Sequence, residues 1–214
     1  MSREAFSHVD TWVFDLDNTL YPAGSRLFEQ IEALMVDFIT ETLSMDRPAA
    51  NVLRKSYWVK YGTTLAGLMA EHDIDPVPFL DKVHQVDLSA LTPSAALRDA
   101  ILALPGRKVI YTNAARAYGH RLVGHLGLDG CFSDLYAVED AGFAAKPHAE
   151  AFDRVFKAAK LTTSTAAMFE DDPRNLAVPH ALGMKCMLIG AADPAPHLHF
   201  QTHDLARFLR VISA

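Results

Sequence analysis

Cysteine is scarce in this chain, and no long uninterrupted hydrophobic run occurs. Two cysteines, Cys131 and Cys186, are present in 214 residues, without metal-binding or redox spacing. We therefore expect free core thiols in a reducing cytoplasm rather than a disulfide framework. No stretch reaches the roughly 18 apolar residues of a membrane-spanning helix, and the first residues contain no apolar run of signal-peptide length. These absences predict a cytoplasmic protein without a membrane partner.

An excess of basic residues is also lacking. The chain has 20 lysines and arginines against 26 acidic residues, a net charge of −6 and an isoelectric point near 5.9. A nucleic-acid polymer is therefore not an expected partner, because its binding requires a basic surface. A small phosphorylated molecule can still bind locally through a metal ion and a lysine. Half of the residues are hydrophobic, which is sufficient for one domain or for a core with an inserted subdomain.

Two carboxylates follow the first predicted strand. The apolar triplet at 12–14 is typical of a short buried strand, and it ends at Asp15, with Asp17 two positions later. If the strand persists, these side chains share one face. Like charges at that distance repel each other unless a cation or a shared proton intervenes, and the next basic residue is Arg26. Hard oxygen ligands favour Mg²⁺. The alternative is a solvated turn after the strand.

Residues 23–92 show helical periodicity and no convincing strand. Apolar residues recur at helical spacing, which predicts an all-helical insert with helices over 26–43, 48–61, 65–71 and 78–86. The flanking segments 22–25 and 89–93 are interpreted as linkers, and hinge motion is expected there.

Helices and strands alternate after residue 93. Strands are predicted at 108–112, around 135–136, at 166–169 and at 185–189; helices are predicted at 94–104, 114–126, 148–159, 175–182 and 205–212. This alternation is typical of an α/β fold with a parallel sheet, in which ligands bind at the carboxyl ends of the strands.

Three further polar groups stand at such positions. Thr112 and Asn113 follow a strand, where a hydroxyl and helix N–H groups can bind phosphate, although both residues are also common helix caps. Lys146 precedes a proline, which favours an extended backbone, and its cation can offset an anionic site; an exposed loop lysine is the alternative. Three consecutive carboxylates at 170–172 follow another strand. A helix dipole accounts for one or two of them, whereas a bound cation accounts for all three.

These four motifs, in this order, resemble those of the haloacid dehalogenase (HAD) superfamily phosphatases. The resemblance implies a Rossmann-like α/β core formed by residues 1–22 and 93–214 and a helical cap formed by residues 23–92. It also implies that Asp15 is a nucleophile that forms an aspartyl-phosphate and that Asp17 is the general acid and base.

The resemblance implies roles for the other motif residues as well. Thr112 contacts phosphate, Asn113 helps to hold the substrate or the nucleophile, and Lys146 balances charge. Mg²⁺ is bound by Asp15, by Asp17 through its backbone carbonyl and by Asp171, with Glu170 as an accessory carboxylate. Asp172 stands where many relatives carry serine, so the choice between Asp171 and Asp172 stays open.

The segments 18–22, 61–68, 72–76, 83–84 and 104–108 resemble the pyrimidine 5′-nucleotidase branch. The implied substrate is a nucleoside monophosphate such as UMP or CMP, without a defined base or ribose preference. Stacking or hydrogen-bonding candidates in the cap are Tyr57, Trp58, Tyr61, His72 and His84. The alternative for each is a structural role, because aromatic residues at helical spacing are typical of a core.

Other functions stay open at this stage. They are a HAD phosphatase or phosphotransferase for another small phosphate such as a sugar phosphate, and an inert binding protein on the same fold. Dehalogenase activity is disfavoured by Asp17 and by the acidic cluster. The segment 191–203, which contains His197, His199 and His203, is expected to be a surface loop near the last strand rather than a transition-metal site.

Overall fold

The computed structural model describes residues 3–213, and its centre is a six-stranded sheet with the order β3-β2-β1-β4-β5-β6. Every neighbouring pair is parallel, so the predicted α/β fold is confirmed. The strands are β1 Thr11–Phe14, β2 Arg107–Tyr111, β3 Asp134–Tyr136, β4 Ala166–Glu170, β5 Lys185–Ile189 and β6 Phe200–Thr202.

The helices follow the predicted order with small shifts at their ends. They are α1 Leu27–Leu43, α2 Arg47–Tyr61, α3 Thr64–His72, α4 Pro76–Val83, α5 Ala95–Leu102, α6 Arg116–His125, α7 Ala149–Ala158, α8 Ala177–Ala181 and α9 Leu205–Ser213. The predicted helix over 175–182 is instead a 3₁₀ turn, Pro173–Leu176, followed by the short α8. Pro179 has no N–H group to donate within a regular helix, and this is consistent with the short length of α8.

Side-chain caps fix where several helices begin. Asp46, Thr63, Asp75 and Ser94 each accept a hydrogen bond from a backbone N–H in the first turn of α2, α3, α4 and α5. Such caps satisfy donors that have no partner inside the helix. Helix α4 begins at Pro76, two residues before its predicted start at 78. A proline is tolerated in the first turn of a helix, and Asp75 caps the helix directly before Pro76.

The sheet is covered on both faces. Along β1, Trp12 and Phe14 belong to one buried cluster, together with residues of α5 and α9, whereas Val13 belongs to another cluster with residues of α7. Phe14 stacks on Phe169 of the neighbouring β4 with ring centroids 4.6 Å apart. Burial on both sides accounts for the continuous apolar sequences of these strands.

Helices α1–α4, which follow β1, pack mainly on one another. Helix α1 packs against α2 and α4, and α2 packs against α3. Their buried residues, such as Ile39 and Phe79, are continuous with the core on the α5 and α9 side of the sheet. We propose the division into a core of residues 1–22 and 93–214 and a cap of residues 23–92; Met1, Ser2 and Ala214 lie outside the described residues.

The segment expected as a surface loop after β5 contains a strand. Residues Phe200–Thr202 pair with β5 in parallel as β6, so that expectation was wrong for these three residues. The strand is too short to show an alternating pattern. The Nδ1 atom of His199 accepts a hydrogen bond from the backbone N–H of Cys186 at 3.1 Å. Within residues 3–213, none of the three loop histidines belongs to a metal-binding group.

The two cysteines and the hydropathy of the helices can now be described in the structure. Cys131 and Cys186 are both buried and free. Within the described part of the chain, no helix has both the length and the hydropathy that crossing a bilayer requires.

Candidate active site

The candidate site lies where the carboxyl ends of β1, β2 and β4 meet. Strand β1 has β2 on one side and β4 on the other, and the chain order reverses at this point, which is where open α/β sheets bind ligands. Asp15 continues β1, since its N–H group donates to the Phe169 carbonyl at 2.9 Å. A cavity of about 600 Å³ opens over this edge, between the sheet and helices α1–α4.

Lys146 is buried at the centre of this edge, with 1% of its surface exposed. Its Nζ donates to Asp15 Oδ1 at 2.7 Å, to Glu170 Oε2 at 2.7 Å and to the Tyr111 carbonyl at 3.0 Å. These bonds use all three donors of the ammonium group. Burial lowers the pKa of Lys146, but the two carboxylates outweigh burial and raise the pKa above its usual value. The alternative of an exposed loop lysine is thereby excluded.

The backbone of Lys146 is held by Asn113. The Asn113 side chain donates through Nδ2 to the Lys146 carbonyl at 3.0 Å and accepts through Oδ1 from the Lys146 N–H at 2.9 Å. The neighbouring Thr112 is buried and lines the cavity, and its Oγ1 accepts from the Ala114 N–H at 3.0 Å. In this arrangement Asn113 contacts the lysine loop, and Thr112 lies in the cavity wall.

Three carboxylates can hold a metal ion. Asp15, Glu170 and Asp171 each offer an oxygen, and these oxygens lie within 4.8 Å of one another. Burial, together with neighbouring carboxylates, raises the pKa of Asp15 to about 7, that of Glu170 to about 7 and that of Asp171 to about 6. A hard divalent cation such as Mg²⁺ fits this donor set, because it is coordinated by oxygen and removes the repulsion between the carboxylates.

Two carboxylates of the fourth motif, Asp171 and Asp172, have different partners. Asp171 accepts from Asn18 Nδ2 at 3.2 Å and belongs to the metal-binding group. Asp172 instead pairs with Arg174, whose guanidinium Nη2 lies 2.6 Å from Asp172 Oδ2. That guanidinium also lies 3.7 Å from the ring centroid of Trp58 in α2. The geometry therefore favours Asp171 over Asp172 as the main ligand.

Asp17 has two hydrogen-bond partners that the four motifs do not include. Its Oδ1 accepts from the hydroxyl of Tyr21 at 2.7 Å and from the hydroxyl of Tyr118 at 2.7 Å. Burial raises the pKa of Asp17, and the two hydroxyl bonds oppose that effect. Tyr21 stands beside the first motif, so local spacing offered a weak signal for it, whereas nothing in the sequence connects Tyr118 with Asp17.

The structure separates the substrate-contact candidates in the cap. Trp58 and His84 line the cavity. The hydroxyl of Tyr57 lies 2.7 Å from Nε2 of His72, and the Tyr61 hydroxyl bonds to Glu71. None of Tyr57, Tyr61 and His72 is among the cavity-lining residues of the described chain. We interpret these three as structural residues of the cap.

Sequence reasoning missed a charged pair in the cavity wall. Arg54 Nη1 donates to Glu32 Oε1 at 2.9 Å, and Arg54 is buried. Both residues line the cavity, together with apolar residues of the helical segment: Phe28, Ile31, Met35, Leu65, Phe79, Leu80 and Val83. Neither charge stands in a recognisable motif, because the pair is formed between different helices.

A comparison with protein families identifies the fold and the family together. The family model described as haloacid dehalogenase-like hydrolase matches residues 9–183, which include all four motifs. The chain belongs to this family. The resemblance of this chain to the HAD superfamily is thereby confirmed.

The sequence of this HAD chain is similar to that of a yeast protein. Phosphate metabolism protein 8 of Saccharomyces cerevisiae is 28% identical over 177 residues, which cover 74% of this chain and 54% of that protein. The chain thus spans about half the length of this relative.

Solved structures share the HAD fold over most of both chains. The putative HAD-hydrolase YfnB of Bacillus subtilis, bound to magnesium, gives a TM-score of 0.61 at 17% identity, covering 96% of this chain and 99% of that one. A HAD phosphatase of Thermococcus onnurineus gives 0.63 at 14%, covering 95% and 98%. A 2-haloacid dehalogenase of Pseudomonas syringae gives 0.58 at 22%, covering 96% and 98%. Likeness at these identities shows the fold, which phosphatases and dehalogenases share.

Proposed function

We propose that this HAD hydrolase is a Mg²⁺-dependent phosphomonoester hydrolase that forms an aspartyl-phosphate on Asp15. The observation that carries the proposal is the position of Asp15. Its carboxylate is hydrogen-bonded to the buried Lys146 at 2.7 Å, lies beside Asp171 in a metal-binding group and lines the cavity that Asp17 also lines. A nucleophile, a cation and an acid–base group thus meet at one edge of the sheet.

The chemistry has two steps. In the first, an Asp15 oxygen attacks phosphorus, the bond from phosphorus to the leaving oxygen breaks, and Asp17 gives that oxygen a proton. In the second, a water oxygen attacks phosphorus while Asp17 accepts a proton from that water. The bond between Asp15 and phosphorus then breaks and releases inorganic phosphate. Lys146 holds Asp15 in place and offsets negative charge throughout.

The proposal includes a bound Mg²⁺. The residues that would hold Mg²⁺ are Asp15, Asp171 and the backbone carbonyl of Asp17, with Glu170 as the accessory carboxylate. When bound, the ion would supply positive charge that polarises the phosphoryl group and neutralises developing charge. Glu170 accepts hydrogen bonds from Lys146 and from the backbone N–H groups of Asp171 and Asp172, so its contribution is to order the motif as well as to add charge.

Phosphate chemistry is favoured over dehalogenation by Asp17. Protonation of an alkoxide leaving group requires an acid, and Asp17 is a carboxyl group with a pKa raised by burial. A halide leaving group needs no proton. The group of three carboxylates likewise suits a metal-dependent phosphoryl transfer.

For the substrate we propose a pyrimidine nucleoside 5′-monophosphate of the UMP or CMP type in the cytoplasm. The cavity of about 600 Å³ is large enough for such a molecule. Its apolar wall suits a planar base, and the Arg54–Glu32 pair offers donors and an acceptor for a base edge. The nucleotidase-like segments of the sequence support the same substrate class.

The test is phosphate release from nucleoside monophosphates and sugar phosphates, measured with Mg²⁺, with EDTA and in an Asp15→Asn variant. We expect Mg²⁺-dependent release that is fastest for UMP or CMP and is absent in the variant. Release from sugar phosphates alone would retain the mechanism and overturn the nucleotidase assignment. Absence of release from every phosphate would favour an inert binding protein.

A further inference from the structure

We propose that Tyr21 and Tyr118 are positioning residues that orient Asp17 for proton transfer, and that His84 connects this pair to the cap. The inference rests on the proposed phosphatase function, and it concerns residues outside the four motifs. Both tyrosines are buried, and both of their hydroxyls bond to Asp17.

Both hydroxyls donate to the same oxygen of Asp17. Each lies 2.7 Å from Oδ1, and Tyr21 and Tyr118 are 4% and 3% exposed. A carboxylate oxygen has two acceptor positions, so these bonds fill Oδ1. The other oxygen, Oδ2, is then the one that carries the proton for the leaving group. Burial, together with the negative charge of Asp17, raises the pKa of both tyrosines above the ordinary value, so both hydroxyls stay donors at neutral pH.

Two separate elements supply the tyrosines. Tyr21 lies in the loop that follows β1, four positions after Asp17, whereas Tyr118 is in α6, 101 positions away in the sequence. A side chain held from two directions has a restricted rotamer. The restriction is of catalytic value because proton transfer requires the acid to lie within hydrogen-bond reach of the leaving oxygen.

His84 brings the cap into contact with this arrangement. It closes α4 and lines the cavity, and its ring stacks on Tyr118 with centroids 4.4 Å apart and planes 18° apart. Arg121 of α6 donates to the His84 carbonyl at 2.5 Å. Displacement of α4 from α6 would therefore remove the ring that packs on Tyr118. Through these contacts the position of the cap affects the orientation of Asp17.

The leaving group provides a test that a purely structural role would not pass. Benzyl phosphate releases a poor alkoxide that requires protonation, whereas p-nitrophenyl phosphate releases a stable phenolate that does not. The ratio kcat/KM reports events up to enzyme phosphorylation. Loss of Asp17 orientation should therefore lower kcat/KM for benzyl phosphate selectively, and an Asp17→Asn variant defines the full size of that selective loss.

The experiment measures kcat/KM of Tyr21→Phe, Tyr118→Phe and the double variant on both substrates with saturating Mg²⁺. We expect a decrease of about 10-fold for each single variant and about 100-fold for the double variant on benzyl phosphate, with a change below about twofold on p-nitrophenyl phosphate. His84→Ala should also decrease kcat/KM for benzyl phosphate, but by less than either tyrosine variant.

The matched control is Tyr136→Phe. The Tyr136 hydroxyl accepts from Arg107 at 3.0 Å, whereas the hydroxyls of Tyr21 and Tyr118 donate to Asp17, so kcat/KM of Tyr136→Phe on both substrates should match the wild type. Equal losses on the two substrates, or no loss in the double variant, would overturn the inference. If the double variant does not fold, the single variants decide. A wild type that hydrolyses neither substrate would instead overturn the proposed phosphatase function.

Discussion

Asn113 and Lys146 are joined by two hydrogen bonds between one side chain and one backbone. The amide of Asn113 donates to the Lys146 carbonyl at 3.0 Å and accepts from the Lys146 N–H at 2.9 Å. The loop that follows β2 thereby fixes the loop that carries the lysine. Because the Lys146 ammonium in turn contacts Asp15, the orientation of the proposed nucleophile depends on an amide that need not touch the substrate.

Replacement of Asn113 by alanine is expected to reduce both stability and turnover. Two backbone groups of Lys146 lose their partner, which costs about 1–3 kcal/mol for each buried group left unsatisfied. The free energy of unfolding from urea titration and kcat on p-nitrophenyl phosphate are the measurements.

A similar amide elsewhere in the chain is the control for that variant. Gln201 accepts from the Ala192 N–H at 3.0 Å and donates to its carbonyl at 3.1 Å, at the edge of the sheet. Gln201→Ala should lose stability and retain kcat. Equal effects of the two variants on kcat would mean that Asn113 acts only on stability.

Asp171 and Asp172 are expected to differ in their effect on metal binding. Asp171 belongs to the metal-binding group, whereas Asp172 is paired with Arg174. Asp171→Asn should raise the Mg²⁺ concentration for half-maximal activity by about 100-fold or more, because it removes a direct ligand. Asp172→Asn should change it little. Isothermal titration with Mg²⁺ measures the same difference without turnover, and the opposite ranking would assign the ligand to Asp172.

The stability of the metal-free protein is expected to fall as the pH rises from about 4 to about 7. Burial raises the pKa of Asp171 to about 6 and those of Asp15 and Glu170 to about 7 in the folded state, above their unfolded values. The folded state therefore binds protons more tightly than the unfolded state. The resulting contribution to the free energy of unfolding is fully present below the unfolded-state pKa and is lost as the pH rises through the folded-state pKa.

Mg²⁺ should reverse that loss. The ion binds deprotonated carboxylates and adds stability in proportion to its occupancy. The increase in melting temperature on adding Mg²⁺ should thus be larger at pH 8 than at pH 5. An Asp171→Asn variant provides the control, because it removes one of the raised carboxylates. The same increase at both pH values would contradict the assignment of these groups to the metal site.

Gly67 is expected to tolerate no side chain. A Cβ at this position in α3 would lie 2.3 Å from Cγ and 2.5 Å from Cβ of Tyr57 in α2. Gly67→Ala should decrease the free energy of unfolding by about 1–3 kcal/mol, the usual cost of overpacking. Gly24→Ala is the control, because nothing lies within 4 Å of its Cβ position. An unchanged free energy of unfolding for Gly67→Ala would show that α2 and α3 can move apart to accommodate the added methyl group.

Local sequence determined the order of elements and the positions of the four motifs. The first strand, the helices of the segment between β1 and β2 and the later alternation follow from apolar periodicity and caps, which depend on residues a few positions apart. The same apolar periodicity predicted where each strand ends, and therefore which acidic and polar residues follow a strand. In a parallel sheet the carboxyl ends share an edge, so the motifs were expected to meet before their contacts were known.

The tertiary structure decided which side chains are partners. Lys146 contacts Asp15 across 131 positions, and Tyr118 contacts Asp17 across 101 positions. Periodicity carries no information about such pairs, because they depend on how helices and loops pack over the sheet. The same packing separates Asp172 from the carboxylates of Asp171 and Asp15. The sequence by itself thus determined the protein family to which this chain belongs, and packing determined the geometry with which its groups can act.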